Sequence, residues 1–130
     1  MTVEVRNRQR RRVNTRELRK IAERVFTGDS LSLVLVSDRE MATLNLRYHH
    51  TLGPTDVLTF DYGEGQAEII VSVDHAFAWK QPARELALYV VHGILHLQGY
   101  DDRTPAQRRR MRAAERRLLA RLAPARMQRR

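Results

Sequence analysis

Residues 86–97, Leu-Ala-Leu-Tyr-Val-Val-His-Gly-Ile-Leu-His-Leu, are apolar around most of a helical circumference. A helix without a clean polar face has to lie inside a fold, with other elements packed on several of its sides. In a chain of 130 residues that helix becomes the centre of a single domain spanning residues 1–130, large enough to bury a core without cross-links. Pro82 suits its first turn and Gly99 its end, so the helix is expected to run to about Gln98.

The segments around it alternate between two periodicities. Strands are expected at residues 2–5, 31–36, 57–60 and 68–72, with Asp61 to Gln66 as a hairpin loop. Asn14 with Glu17 and Ser37 with Glu40 match helix-opening capping boxes, and Thr104-Pro105-Ala106-Gln107 does the same for a last helix. Asp74 is placed to cap a short helix through Trp79. The buried faces implied are Leu18, Ile21, Ala22, Val25 and Phe26, then Met41, Leu44 and Tyr48, then Met111, Ala114, Leu118 and Leu122. Pro124 is expected to end the last helix, with the final residues frayed. The class is α+β, a small mixed β-sheet of about four strands covered by about five helices.

Cysteine is absent, so a metal in this chain must be held by His and carboxylate rather than thiolate. No apolar run reaches membrane-spanning length and the N-terminus lacks a secretory signal, so the expected compartment is the cytoplasm. The net charge of +9 is unevenly spread. Residues 1–24 hold nine basic and three acidic groups, residues 25–102 four and eleven, and residues 103–130 eleven and one. Basic ends attract a polyanion such as RNA, and the acidic middle suits a cation. Arginine on a helix face also serves simply as a solvated surface, so charge alone does not decide for nucleic acid.

His92 and His96 sit one helical turn apart on the apolar helix, so both rings leave the same face. Burying two neutral imidazoles requires partners for their ring nitrogens, and one metal ion supplies a partner to each. Asp102 lies ten residues after His92, just past the Gly99 turn. That spacing resembles the metzincin arrangement, in which a helix gives two ligands and a glycine turn presents the third. Asp101 competes for the role, with helix capping or an acceptor contact to a histidine nitrogen as its other uses. Three protein ligands leave a position open for chemistry. The residue after His92 is Gly93, where metalloproteases of this spacing carry a Glu base, which disfavours peptide hydrolysis. Gly93 either makes room beside the metal for a bulky polyanion or serves close helix packing.

His92-Gly93-Ile94-Leu95-His96-Leu97-Gln98-Gly99-Tyr100-Asp101 resembles the signature of the YbeY family of rRNA-maturation endoribonucleases. Leu44-Asn45-Leu46-Arg47-Tyr48 followed by Pro54-Thr55-Asp56-Val57-Leu58-Thr59-Phe60 is similar to the family's second motif. Arg84-Glu85-Leu86-Ala87 resembles the lead-in to its histidine helix, and Met111 and Glu115 match its terminal helix. The resemblance implies a zinc-dependent, single-strand-specific endoribonuclease acting in 16S rRNA 3′-end maturation and ribosome quality control. It implies one Zn2+ per chain in a cleft on a zincin-like metal helix, with ribosomal RNA and ribosomal or ribosome-assembly proteins as partners. His92, His96 and Asp102 become the metal ligands. His49, with them, becomes a candidate for the reaction itself, and Arg47, His49, Thr55 and Asp56 candidates for holding substrate.

Two positions depart from the family pattern. Asp102 stands where the family usually has a third His, and His49 where it usually has Arg. A carboxylate keeps a metal but lowers the site's charge, and histidine lacks the permanent forked cation of arginine. An RNA-binding module of ribosome assembly with a structural metal is therefore the alternative. Thr55, Asp56 and Asn45 also suit turns and caps, and Glu85 suits a solvated first-turn carboxylate. His50 and His75 carry no spacing signal.

Overall fold

The structure is a computed structural model that describes residues 1–50, 53 and 55–122. Its strands are β1 (Thr2–Asn7), β2 (Ser30–Val36), β3 (Val57–Gly63) and β4 (Gln66–Ser72). Its helices are α1 (Thr15–Val25), α2 (Asp38–His49), α3 (Val73–Phe77), α4 (Pro82–Leu97) and α5 (Pro105–Leu122). The fold is α+β. One sheet runs in the order β1-β2-β4-β3, with β1, β2 and β4 parallel and β3 antiparallel at the edge.

Alternation along β2 and β4 sends Leu31, Leu33, Leu35, Ile69 and Val71 to one face, where they share the main core with residues of α1, α4 and α5. The α4 residues Leu86, Val90, Val91, Ile94 and Leu95 complete this main core, as their apolar run requires. The other face holds a smaller cluster of Val34, Val36, Met41, Leu58 and Ile70 beneath α2. Gly93 sets how closely α4 approaches the sheet. A Cβ there would lie 3.1 Å from methyl carbons of Ile69 and Thr59. Gly93 thus serves close packing, because its open side faces the sheet.

The caps follow the sequence at most ends. Asn14 accepts from the backbone N–H of Glu17 and Ser37 from that of Glu40. Thr104 and Gln107 form a reciprocal box at 3.0 and 3.1 Å. Four expectations are corrected. β1 continues to Asn7, paired with Leu35, although its end is basic. The hairpin loop shrinks to Glu64 and Gly65, because Asp61 pairs with Ala67 and Gly63 with Gln66. Gly65 (φ +76°) passes so close to Asp29 that a Cβ would stand 3.0 Å from its backbone nitrogen. The cap of α3 is Ser72, which leaves Asp74 to accept from the Asp38 N–H at 2.7 Å and from Arg11 at 2.8 Å. α3 accordingly ends at Phe77 rather than Trp79. Tyr48 is 53% exposed, its ring set edge-to-face with that of Phe60 at 5.5 Å rather than buried with Met41. Asn45, one turn after Met41, is buried on that face and donates to the Gly53 carbonyl at 2.9 Å. The expected stop at Pro124 and the frayed end lie outside the described residues.

Candidate metal centre

The last two turns of α4 and the bend after them build the site. The Gln98 N–H closes the helix on the Ile94 and Leu95 carbonyls, and Gly99 then takes φ +102°, a left-handed conformation that costs glycine little. The Tyr100 N–H returns to the Leu95 carbonyl at 3.0 Å, which fixes where residues 101 and 102 emerge. Asp101 turns its carboxylate to the Asp102 N–H at 2.8 Å and to Arg103 at 3.4 Å. Asp102 is thereby free to face the rings, with Oδ2 3.4 Å from His96 Nε2. The two Nε2 atoms stand 3.1 Å apart. The ligand atoms of His92, His96 and Asp102 all lie within 4.8 Å of one another.

The outer nitrogens decide what the inner ones can do. His96 Nδ1 lies 3.1 Å from the Tyr100 carbonyl oxygen, which only accepts, so Nδ1 carries the hydrogen. His92 Nδ1 lies 2.5 Å from Glu115 Oε2, so it also donates. In the neutral rings both Nε2 atoms are then left with lone pairs aimed at the Asp102 carboxylate and at each other. Three acceptors converging on one point repel unless a cation or protons sit among them. Tetrahedral zinc, with bonds of about 2.0–2.1 Å, separates its ligand atoms by about 3.3 Å. The observed 3.1 and 3.4 Å match that edge length. The donor set therefore fits a borderline-soft divalent ion.

Glu115 is the part of the site that motif spacing left unassigned beyond its match to the terminal helix. It projects from α5, is buried, and holds the ring that α4 presents. Its signal was available: it is the sole acidic residue after Asp102, one turn beyond buried Met111, on the apolar face of an arginine-rich helix. Burial alone would pull the His92 pKa down. The hydrogen bond and charge of Glu115 outweigh that, with Asp56 and Asp102 adding to them, and the net shift is upward.

The remaining candidates are placed unevenly. Asp56 accepts from the Val57 N–H at 2.8 Å and from the Thr55 hydroxyl at 3.4 Å, and its charge reaches His92. Arg47 and His49 lie at the exposed end of α2, with the His49 ring 6.2 Å from that of Phe60, on the sheet face opposite α4. They are not part of the three-ligand group. Arg108 donates to the Asp102 and Arg103 carbonyls at 3.2 and 3.4 Å, setting a cation beside the third candidate ligand. Glu85, expected in solvent, is buried in the α4 wall. His75 is bonded through Nδ1 to Asp38 at 2.7 Å, away from the site. No helix among the described residues is long and apolar enough to cross a membrane.

Fold and site together define a small α+β protein whose central helix and following turn present two imidazoles and a carboxylate to one point. A family model described as Endoribonuclease YbeY matches residues 3–123. Endoribonuclease YbeY of Geobacter metallireducens is 34% identical over 142 aligned positions, which cover 92% of this chain and 95% of that protein. Its namesake in Phocaeicola vulgatus is 37% identical over 98 positions, covering 69% and 71%. The solution structure of TM1509 from Thermotoga maritima shares the fold, with a TM-score of 0.57 over 92% of this chain and 91% of that one at 23% identity. The chain belongs to the YbeY family.

Proposed function

We propose that this protein is a metal-dependent endoribonuclease that cuts single-stranded RNA, with zinc as its ion, in the 3′-end maturation of 16S rRNA and in ribosome quality control. Its setting is the cytoplasm, with ribosomal RNA as substrate and ribosomal or ribosome-assembly proteins as partners. One observation carries the metal dependence: three lone-pair atoms meet at one point while both imidazoles spend their N–H groups elsewhere. The family and its relatives, which bear the name endoribonuclease, carry the substrate class.

His92, His96 and Asp102 would hold the ion. When bound, it acidifies a water and neutralises charge on a phosphate. Glu115 and the Tyr100 carbonyl hold the two imidazoles in the ligating tautomer throughout. The side chains of His92, His96 and Asp102 are 29%, 27% and 45% exposed, so a strand can reach them, unlike a sealed structural site. Arginines of α1 and α5, with Arg108 beside Asp102, supply cations that position phosphates without reading sequence. Asp56 and Thr55 lie on the His92 side, where they can orient a substrate or a water. Arg47 and His49 approach from the α2 side, where His49 serves as a phosphate contact or proton carrier.

The test is metal analysis of the purified protein, alongside cleavage of an unstructured RNA with and without chelator. Metal-replete protein that leaves the RNA intact with every divalent ion tried would remove the nuclease. Retained RNA binding in that case would leave the RNA-binding module.

A further inference from the structure

The N-terminal end of α4 carries a cavity of about 280 Å³, apart from the candidate metal ligands. Trp79, Lys80, Gln81, Arg84 and Glu85 line it. Two features set it apart from an ordinary surface dent. Glu85 is only 7% exposed, yet its side chain makes no hydrogen bond or ion pair among the described residues. Gln81 Oε1 is fully buried and likewise lacks a partner, although Gln81 stands at the N-cap, where a side-chain oxygen usually serves its own helix. The Gln81 oxygen is therefore withdrawn from water without a donor, which is costly, and the Glu85 carboxylate lines the cavity with no protein donor to meet it.

The cavity wall adds the rest of a recognition site. Trp79 is 56% exposed, so one ring surface is open for stacking. Lys80 and Arg84 supply positive charge at the rim. Burial and then the charges of Glu85 and Asp56 push the Tyr89 phenol up to about 12, so Glu85 and Asp56 act on one neighbourhood. The charge of Asp56 also reaches His92. Glu85 precedes His92 by seven residues, two turns of one helix, which places the cavity on nearly the same face about 10 Å along the axis.

We infer that this cavity is a guanine-binding subsite, in which Trp79 stacks on the base while Glu85 and Gln81 accept from its Watson–Crick edge. That edge sets N1–H beside one hydrogen of the exocyclic amine, two donors for the two oxygens of the Glu85 carboxylate, and the second amine hydrogen is left for Gln81. Adenine and cytosine offer only the two hydrogens of one amine, and uracil one N–H. Lys80 and Arg84 meet the adjoining phosphate. The inference rests on the RNA-cleaving function proposed above and gives it a base preference: a strand lying along α4 places a guanine here while another of its phosphates reaches the metal centre.

Trp79 is the one tryptophan of the chain and reports on its own site. Titration of the intact protein with GMP, AMP, CMP and UMP should quench its fluorescence saturably with GMP, at an affinity about tenfold above the other three. Glu85→Gln should weaken GMP about tenfold, because one charged acceptor is lost. Equal responses to all four nucleotides, or no response, would overturn the subsite, as would a folded Glu85→Gln protein that binds GMP unchanged. Should Glu85→Gln fail to fold, Trp79→Ala removes an exposed ring, and equilibrium dialysis with GMP decides: lost binding upholds the subsite and unchanged binding overturns it. The readout needs no cleavage. Guanine-selective binding without nuclease activity would keep the subsite and remove the nuclease, whereas cleavage without any guanine response would do the reverse.

Discussion

Glu115 on α5 and His92 on α4 face each other at 2.5 Å, a buried carboxylate holding the outer nitrogen of a ring whose inner nitrogen faces two other acceptors. The contact links the C-terminal helix to the candidate metal centre. It also fixes which nitrogen of His92 is available as a ligand.

Removing that carboxylate should therefore be felt at the metal before it is felt in the fold. For Glu115→Ala, competition with a chromophoric chelator should show zinc affinity about 10–100-fold lower. Glu115→Gln, which can still accept from Nδ1, should fall between the two. Unchanged affinity in a folded Glu115→Ala protein would show that the contact is only packing.

Asp102→Asn keeps the shape of the third candidate ligand and removes its charge. Zinc retention through dialysis should drop well below one ion per chain, and RNA cleavage should fall with it. Asp101→Asn should leave metal content unchanged, since its carboxylate serves the Asp102 N–H and Arg103.

Asp74 gives the fold an acid limb. The Asp38 N–H and then Arg11 stabilise its charged form, so its pKa lies below the ordinary 3.8. A group depressed on folding contributes stability above its unfolded pKa and loses it as pH falls through the folded value. Asp74→Asn should cost about 1 kcal/mol or less at pH 7, because Arg11 is half exposed and screened, and the cost should shrink as pH falls below 3.8 and through the depressed folded value. Urea midpoints followed from pH 7 downward through the acid range check this, and a deficit that stays constant throughout would exclude the charge as its source.

Gly93→Ala sets helix propensity against space. Alanine gains up to about 1 kcal/mol as a helix former. Its methyl would press on Ile69, which is fully buried, and such overpacking costs about 1–3 kcal/mol. A net loss of about 1 kcal/mol in denaturant unfolding is expected, and a stabilised protein would show that α4 can lift off the sheet freely.

The strongest local signals were also the most legible. The apolar run of α4 announced its central place, and the three capping boxes at Asn14, Ser37 and Thr104 marked helix starts that the structure shows. The ring pair needed only the helical period, and Asp102 only the Gly99 turn. Relations across the chain were not legible. Asp74 looks like a cap by position, but its partners are Arg11, 63 residues away, and the Asp38 N–H, 36 away. Tyr48 fits the apolar face of α2 by spacing, and spacing does not say which positions on that face the fold covers. Glu85 reads as a solvated charge because single-residue chemistry favours that, and Glu115 was legible only as a match to the terminal helix, while the burial of both is set by elements that close over them.

Three candidate ligands and their support come from the end of α4, the bend at Gly99 and the body of α5. An ion seated there would act as a clasp, fastening the last helix to the core through groups that otherwise repel. Heat tolerance should then follow the free-ion concentration, rising with the logarithm of one plus that concentration divided by the dissociation constant. A cell short of that ion would lose grip on the protein's C-terminal helix as well as on its chemistry.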